Sequence, residues 1–186
     1  GEAMPESLDI IRYLYKTYAL WTPPNEILQW ASAVVLPPIK MLFATQAPLQ
    51  AGSSGDDKTM YEKEISEATT KIEAALQESP VVVYTYELSP FSFETKALLD
   101  SLEISYKEIS LGREWIPGLI SEGGSQTRAA LLDMTGQSSL PHVFIDGKSI
   151  GGLFSGTPGL IPALEQGSLR EMVFNASMEK AEPVQS

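Results

Sequence analysis

Few side chains in this 186-residue chain are equipped for chemistry. It holds no cysteine, which removes disulfides, thiolate metal sites and thiol catalysis in one step. Its single histidine, His142, excludes a histidine-rich metal site. His142 lies in a strand-like run, where a lone imidazole reads as structural rather than as a base. What remains is a pair of hydroxyls. Ser89 is a good helix N-cap, with Pro90 at the first helical position, and Ser92 follows one turn later. A helix N-terminus offers these oxygens positive potential. A serine hydroxyl nevertheless has no accessible redox couple and forms no mixed disulfide.

Composition narrows the function classes. Apolar residues make up 43% of the chain, enough for a packed core. The net charge is -11 and the sequence pI about 4.5. Nucleic-acid binding needs clustered Lys and Arg, and these are absent. An acidic surface also disfavours anionic lipid head groups as the main partner. The simplest reading of the charge is solubility.

The elements that must position these groups follow from periodicity. Residues 1–22 carry Leu8, Ile10, Ile11, Leu14 and Tyr15 at helical spacing. Residues 23–57 form an apolar segment and a flexible linker. Asn25 is a plausible N-cap there, and Pro37-Pro38 is expected to stop the helix it opens. The double proline, Lys40 and Gln29 argue against a membrane span, which needs ~20 uninterrupted apolar residues. Trp30, Val34, Val35, Leu42 and Phe43 are expected to be covered by a protein partner or a membrane interface, because a patch of this kind is rarely left in water. The plainer alternative is a linker packed on the protein's own domain. Gly52–Asp57 reads as the boundary.

From 58 to 174 strand and helix alternate. An amphipathic helix is expected over 58–77, and Val81–Tyr86 reads as a buried strand. After the Ser89 helix come a strand at 104–109 and a helix at 126–134. Asp146-Gly147 joins strands 142–145 and 148–150 in a hairpin. Helices at 158–166 and 168–174 follow, and 175–186 reads as a polar, mobile tail. The expected fold is α/β, a small mixed sheet with helices on both faces, preceded by helical apolar segments.

These residues carry a family likeness. Val81–Tyr86 followed by Ser89-Pro90-Phe91-Ser92 resembles the glutaredoxin strand and its Cys-Pro-x-Cys turn. Gly124–Leu131 resembles that family's third helix. Thr135–Gly147 resembles its Thr-Val-Pro segment and hairpin, and Ile150-Gly151-Gly152 resembles the glycine pair that follows. Pro5–Leu14 is similar to the end of a glutathione transferase N-terminal domain, also thioredoxin-like, so the chain looks like the remnant of a tandem protein.

The likeness implies a thioredoxin/glutaredoxin-like fold in which serines stand at both cysteine positions. It implies a vestigial glutathione site of Ser89, Pro90, Phe91, Ser92, Arg128, Leu140, Pro141, Gly151 and Gly152. Arg128 would anchor a carboxylate, Leu140-Pro141 would be cis, and glutathione would bind weakly if at all. The family lysine falls at Tyr86, and its Cys-Asp-Asp is replaced by Leu153-Phe154-Ser155. An engineered trap would change cysteines alone, so these losses together favour natural decay of catalysis.

Three functions stay open. One is a non-catalytic accessory subunit of a larger, membrane-associated assembly, without nucleic acid. Another is a glutathione-binding module or serine-type transferase using Ser89. The last is a thiol-disulfide oxidoreductase with engineered serines. Tandem units joined by an apolar segment resemble plastid proteins of plants and algae. That likeness implies an intracellular, thylakoid-associated setting.

Overall fold

The computed structural model describes residues 26–53, 58–114, 116 and 118–181. The expected helix over 1–22, the transferase-like Pro5–Leu14 stretch and the Asn25 cap lie outside the described residues. So do residues 54–57 of the linker and the last five residues.

The sheet has four strands in the order β2-β1-β3-β4. β1 (Val81–Thr85) pairs in parallel with β2 (Lys107–Ser110) and antiparallel with β3 (His142–Ile145). β4 (Lys148–Gly151) closes the hairpin on β3. Asp146 and Gly147 both have positive φ, 53° and 68°, as a tight primed hairpin turn requires. β1 is buried along its whole length, which explains its unbroken β-branched run.

Alternate β1 side chains feed two cores. Val81 and Val83 join Leu98, Leu99, Val143 and Leu160 on one face. That face is covered by α3 (Pro90–Ser101), α5 (Leu160–Glu165) and α6 (Leu169–Ala181). Val82 and Tyr84 join Ile65, Ile72, Leu131 and Phe144 on the other. There α2 (Lys58–Glu78) and α4 (Gly124–Thr135) pack. Ile104, expected in a strand, is buried ahead of β2 instead.

Two expectations need correction. First, Pro37-Pro38 does not stop the N-terminal helix. α1 runs from Glu26 to Gln50 without a break. Proline normally clashes with the carbonyl one turn back. Here a five-residue π turn, Ala31–Val35, precedes the pair, and the Leu36 N–H reaches the Ala31 carbonyl. The wider turn relieves the clash. By length and composition α1 is long and apolar enough to cross a membrane. Second, residues 175–181 are not a mobile tail. They continue α6, where Ala176 is buried in the core. Lys180 Nζ caps the end of α2 by donating to the carbonyls of Leu76 and Gln77.

Candidate functional site

The hydroxyl pair is built as a helix cap. Ser89 has an extended conformation, φ -75° and ψ 118°, just before α3. Its Oγ accepts the Ser92 N–H at 3.3 Å. The Ser92 Oγ in turn accepts the Tyr86 N–H at 3.2 Å. Both serines are buried. Each oxygen therefore satisfies a backbone donor at the strand-to-helix turn, the role expected of an N-terminal hydroxyl.

Arg128 projects from α4 and is only 1% exposed. Its guanidinium is held on three sides. Nε donates to the Ser138 carbonyl at 3.2 Å, Nη1 to Gln50 Oε1 at 2.7 Å and Nη2 to the Phe43 carbonyl at 3.4 Å. The Phe43 ring lies 5.0 Å from the guanidinium carbon, close enough for a cation–π contact. Burial lowers the Arg128 pKa, opposed by nearby Tyr86 and Glu114. Burial pushes the Tyr86 phenol up to about 12, Arg128 opposing and Glu114 adding to the rise.

Leu140–Pro141 is a cis peptide. Leu140, Ser89, Pro90, Phe91 and Arg128 line one cavity of about 170 Å³. The structure thus gathers those five candidates around a single groove. Ser92 sits behind it as a buried cap. Pro141 and Gly152 border an adjoining cavity of about 50 Å³. Gly151 and Gly152 act through packing. A Cβ on Gly151, at φ +98°, would lie 2.4 Å from Gly156 Cα, and one on Gly152 would lie 3.1 Å from the Pro141 carbonyl oxygen.

The other wall of the groove is α1. Leu36 and Phe43 line the larger cavity, and Ser32 and Lys40 the smaller. Lys40 Nζ donates to Ser155 Oγ in the loop after the glycine pair. The inward stripe of α1 therefore includes Ser32, Leu36, Lys40, Phe43, Ala47 and Gln50, spaced by three or four residues. The outward stripe is apolar. Ile27, Trp30, Val34, Met41, Leu42 and Leu49 are all more than half exposed. The helix thus lacks the usual polar outer face: its inward stripe mixes Leu36, Phe43 and Ala47 with Ser32, Lys40 and Gln50, while six large apolar side chains point away from the domain.

The five predicted docking residues divide accordingly. Trp30, Val34 and Leu42 face outward. Phe43 is half-buried over Arg128, and Val35 is half-buried as well. The Phe43 ring turns toward the domain, over Arg128, rather than outward. Sequence reasoning missed Gln50, Lys40 and Ser155. The 3–4 spacing of the inward stripe was the available signal.

A tripeptide carboxylate on Arg128 is the ligand contact that the resemblance implies. With α1 in place the residues do not fit it, since Gln50 and Phe43 hold the guanidinium and Lys40 holds Ser155.

Residues 81–150 match the glutaredoxin family model. The chain is 38% identical over 85 residues to glutaredoxin-C6 of Oryza sativa subsp. japonica, covering 46% of this chain and 70% of that protein. It is 32% identical over 120 residues to chloroplastic monothiol glutaredoxin-S12 of Arabidopsis thaliana, covering 63% of this chain and 62% of that one. Among solved structures, the buckwheat glutaredoxin–glutathione complex superposes with a TM-score of 0.54 at 30% identity, over 62% of this chain and 96% of that one.

Proposed function

We propose that this chain, which belongs to the glutaredoxin family, is a binding and assembly unit that does no thiol chemistry. The observation that carries this reading is helix α1, which lines the groove and keeps an apolar outer face. Its inward side chains, Ser32, Leu36, Lys40 and Phe43, line the groove, and its outer face presents Trp30, Val34 and Leu42 to the surroundings. A face of this kind is stable in isolation only when something apolar covers it. Burying each such side chain contributes ~1.5–3 kcal/mol to association. The serines support the same reading, because both hydroxyls are used as backbone caps and the chain has no cysteine to replace them.

The partner class is a protein or membrane-associated assembly. A plastid setting is supported by the chloroplastic name of one relative, and a photosynthetic membrane complex is the host we propose.

Glutathione binding is the second reading, supported by Arg128 and the cis Leu140–Pro141 peptide meeting at one groove. A transferase using Ser89 would need its hydroxyl activated by a base. His142, the one imidazole, is engaged with Ser149 Oγ at 2.6 Å. The thiol oxidoreductase reading is kept open by the family's chemistry, and restoring the cysteines tests it.

Sedimentation velocity on the purified chain tests the docking role. Wild type is expected to self-associate or to require detergent, and a Trp30→Glu/Val34→Glu/Leu42→Glu variant to be a folded monomer. A wild-type chain that is monomeric at high concentration without detergent, and unchanged by the substitutions, would contradict the proposal.

A further inference from the structure

We infer that the groove's resident occupant is the chain's own helix α1, and that a carboxylate-bearing tripeptide enters only by displacing it. The inference rests on reading the groove as the family's ligand groove. It goes further in assigning α1 residues to the positions a ligand would take.

The contacts run along α1, from Leu36 to Gln50. At one end the Gln50 side-chain oxygen and the Phe43 carbonyl accept from Arg128. These are two neutral acceptors where a carboxylate would present two charged ones, and a charged acceptor makes the stronger bond to guanidinium. Leu36, one turn before Lys40, faces the cavity lined by Ser89, Pro90 and Leu140. Lys40, between Leu36 and Phe43 along the helix, engages Ser155, beside the glycine pair. One helix thus contacts Arg128, the cavity beside Ser89 and the loop after the glycine pair.

The fit is incomplete, and that makes the helix replaceable. Tyr86 OH and Ser138 Oγ both belong to residues lining the larger cavity, both residues are under 5% exposed, and neither atom has a hydrogen-bond partner. A buried hydroxyl without a partner costs free energy. A ligand that reached either one would gain a contact the helix does not make. Displacement would also release the whole of α1, so groove occupancy and exposure of the apolar helix become linked, as two ligands competing for one site must be.

The test uses the full chain and a Phe43→Ala/Gln50→Ala/Lys40→Ala variant, which removes side-chain contacts of α1 and leaves Ser89, Pro90, Phe91, Arg128 and Leu140 of the opposite wall unchanged. Hydrogen exchange is measured over residues 36–50 and over β1, and reduced glutathione is titrated by calorimetry. The variant is expected to exchange at least tenfold faster over 36–50 with β1 unchanged, and to bind glutathione at least tenfold more tightly than wild type. Saturating glutathione is expected to accelerate exchange over 36–50 in wild type. Equal affinity in the two proteins, or tight wild-type binding with 36–50 still protected, would overturn the occupancy claim while leaving the groove a ligand site. A variant whose helix is released but which binds no glutathione would overturn the ligand-groove reading on which the displacement depends. Unchanged exchange over 36–50 in the variant would show that these contacts do not hold the helix, and would overturn the inference directly.

Discussion

Arg128 Nη1 donates to Gln50 Oε1 across 2.7 Å, joining residues 78 positions apart in the chain. The bond ties α1 to α4 at the candidate site. Arg128→Met would keep much of the volume and leave the carbonyls of Ser138 and Phe43 and the Gln50 oxygen without their donor. The expected cost is about 2–4 kcal/mol in urea unfolding, from one buried and two part-buried acceptors losing the Arg128 donor at once. Arg128→Lys is expected to recover only part of this, because a single ammonium cannot reproduce the planar fork. A loss below about 0.5 kcal/mol for Arg128→Met, the range of an ordinary surface change, would show that the contacts are unimportant to stability.

His142 should make stability depend on pH. Its ring is buried, stacks on Phe144 at 4.6 Å between centroids and contacts Ser149 Oγ. Burial first, then the positive charge of Lys40, lowers its pKa to about 4. The folded state therefore favours neutral imidazole, while the unfolded chain takes up a proton near pH ~6.5. The stabilisation is fully present above that value and is lost as pH falls through the window from about 6.5 to about 4, by a few kcal/mol at most. His142→Gln retains a hydrogen-bonding side chain and does not titrate. Unfolding curves at stepped pH should show wild type losing more stability than the variant across this window. Parallel pH profiles would contradict the burial argument.

The two faces of α1 should respond differently to substitution. Trp30→Glu, Val34→Glu and Leu42→Glu alter exposed positions, so each should leave folding stability within about 0.5 kcal/mol of wild type. Phe43→Ala removes the ring over Arg128 and should cost about 1–3 kcal/mol, from cation–π contact and burial together. Thermal unfolding of single variants checks both. Equal effects on the two faces would mean that α1 does not lie as described.

Gly151 is a backbone requirement rather than a ligand contact. Its φ is +98°, and an alanine Cβ at this position would stand only 2.4 Å from Gly156 Cα. Gly151→Ala must therefore move backbone and is expected to lose at least ~2 kcal/mol. Denaturant unfolding of Gly151→Ala reads this loss. A near-neutral result would mean that the loop after β4 is not held against Gly156.

Much of the fold was legible because its signals are local. The β-branched run of β1, Ser89 before Pro90, and Asp146-Gly147 each specify their element within a few residues. The corrections come from tertiary effects. Pro37-Pro38 reads as a stop by local sterics, yet the helix continues through the pair, with a π turn at Ala31–Val35 just ahead of it. Residues 175–181 look like a polar tail, yet Ala176 reaches the core and Lys180 caps α2. The gathering of Ser89, Arg128 and Leu140 at one groove followed from motif order. The identity of its other wall did not, because the pairing of Arg128 with Gln50 joins distant segments and nothing in either segment's pattern names the other.

Restoring the thiols tests the central claim most directly. A Ser89→Cys/Ser92→Cys variant would place thiols at the start of α3, where the helix N-terminus favours a thiolate. Tyr86 stands at the lysine position, Glu114 lines the same cavity, and α1 still covers the groove. In the glutathione-coupled disulfide reduction assay the account predicts a rate for the double variant at most a few times the uncatalysed background, with wild type at background. Turnover by the double variant at the rate of an ordinary glutaredoxin would contradict it, showing a redox site intact apart from its two cysteines.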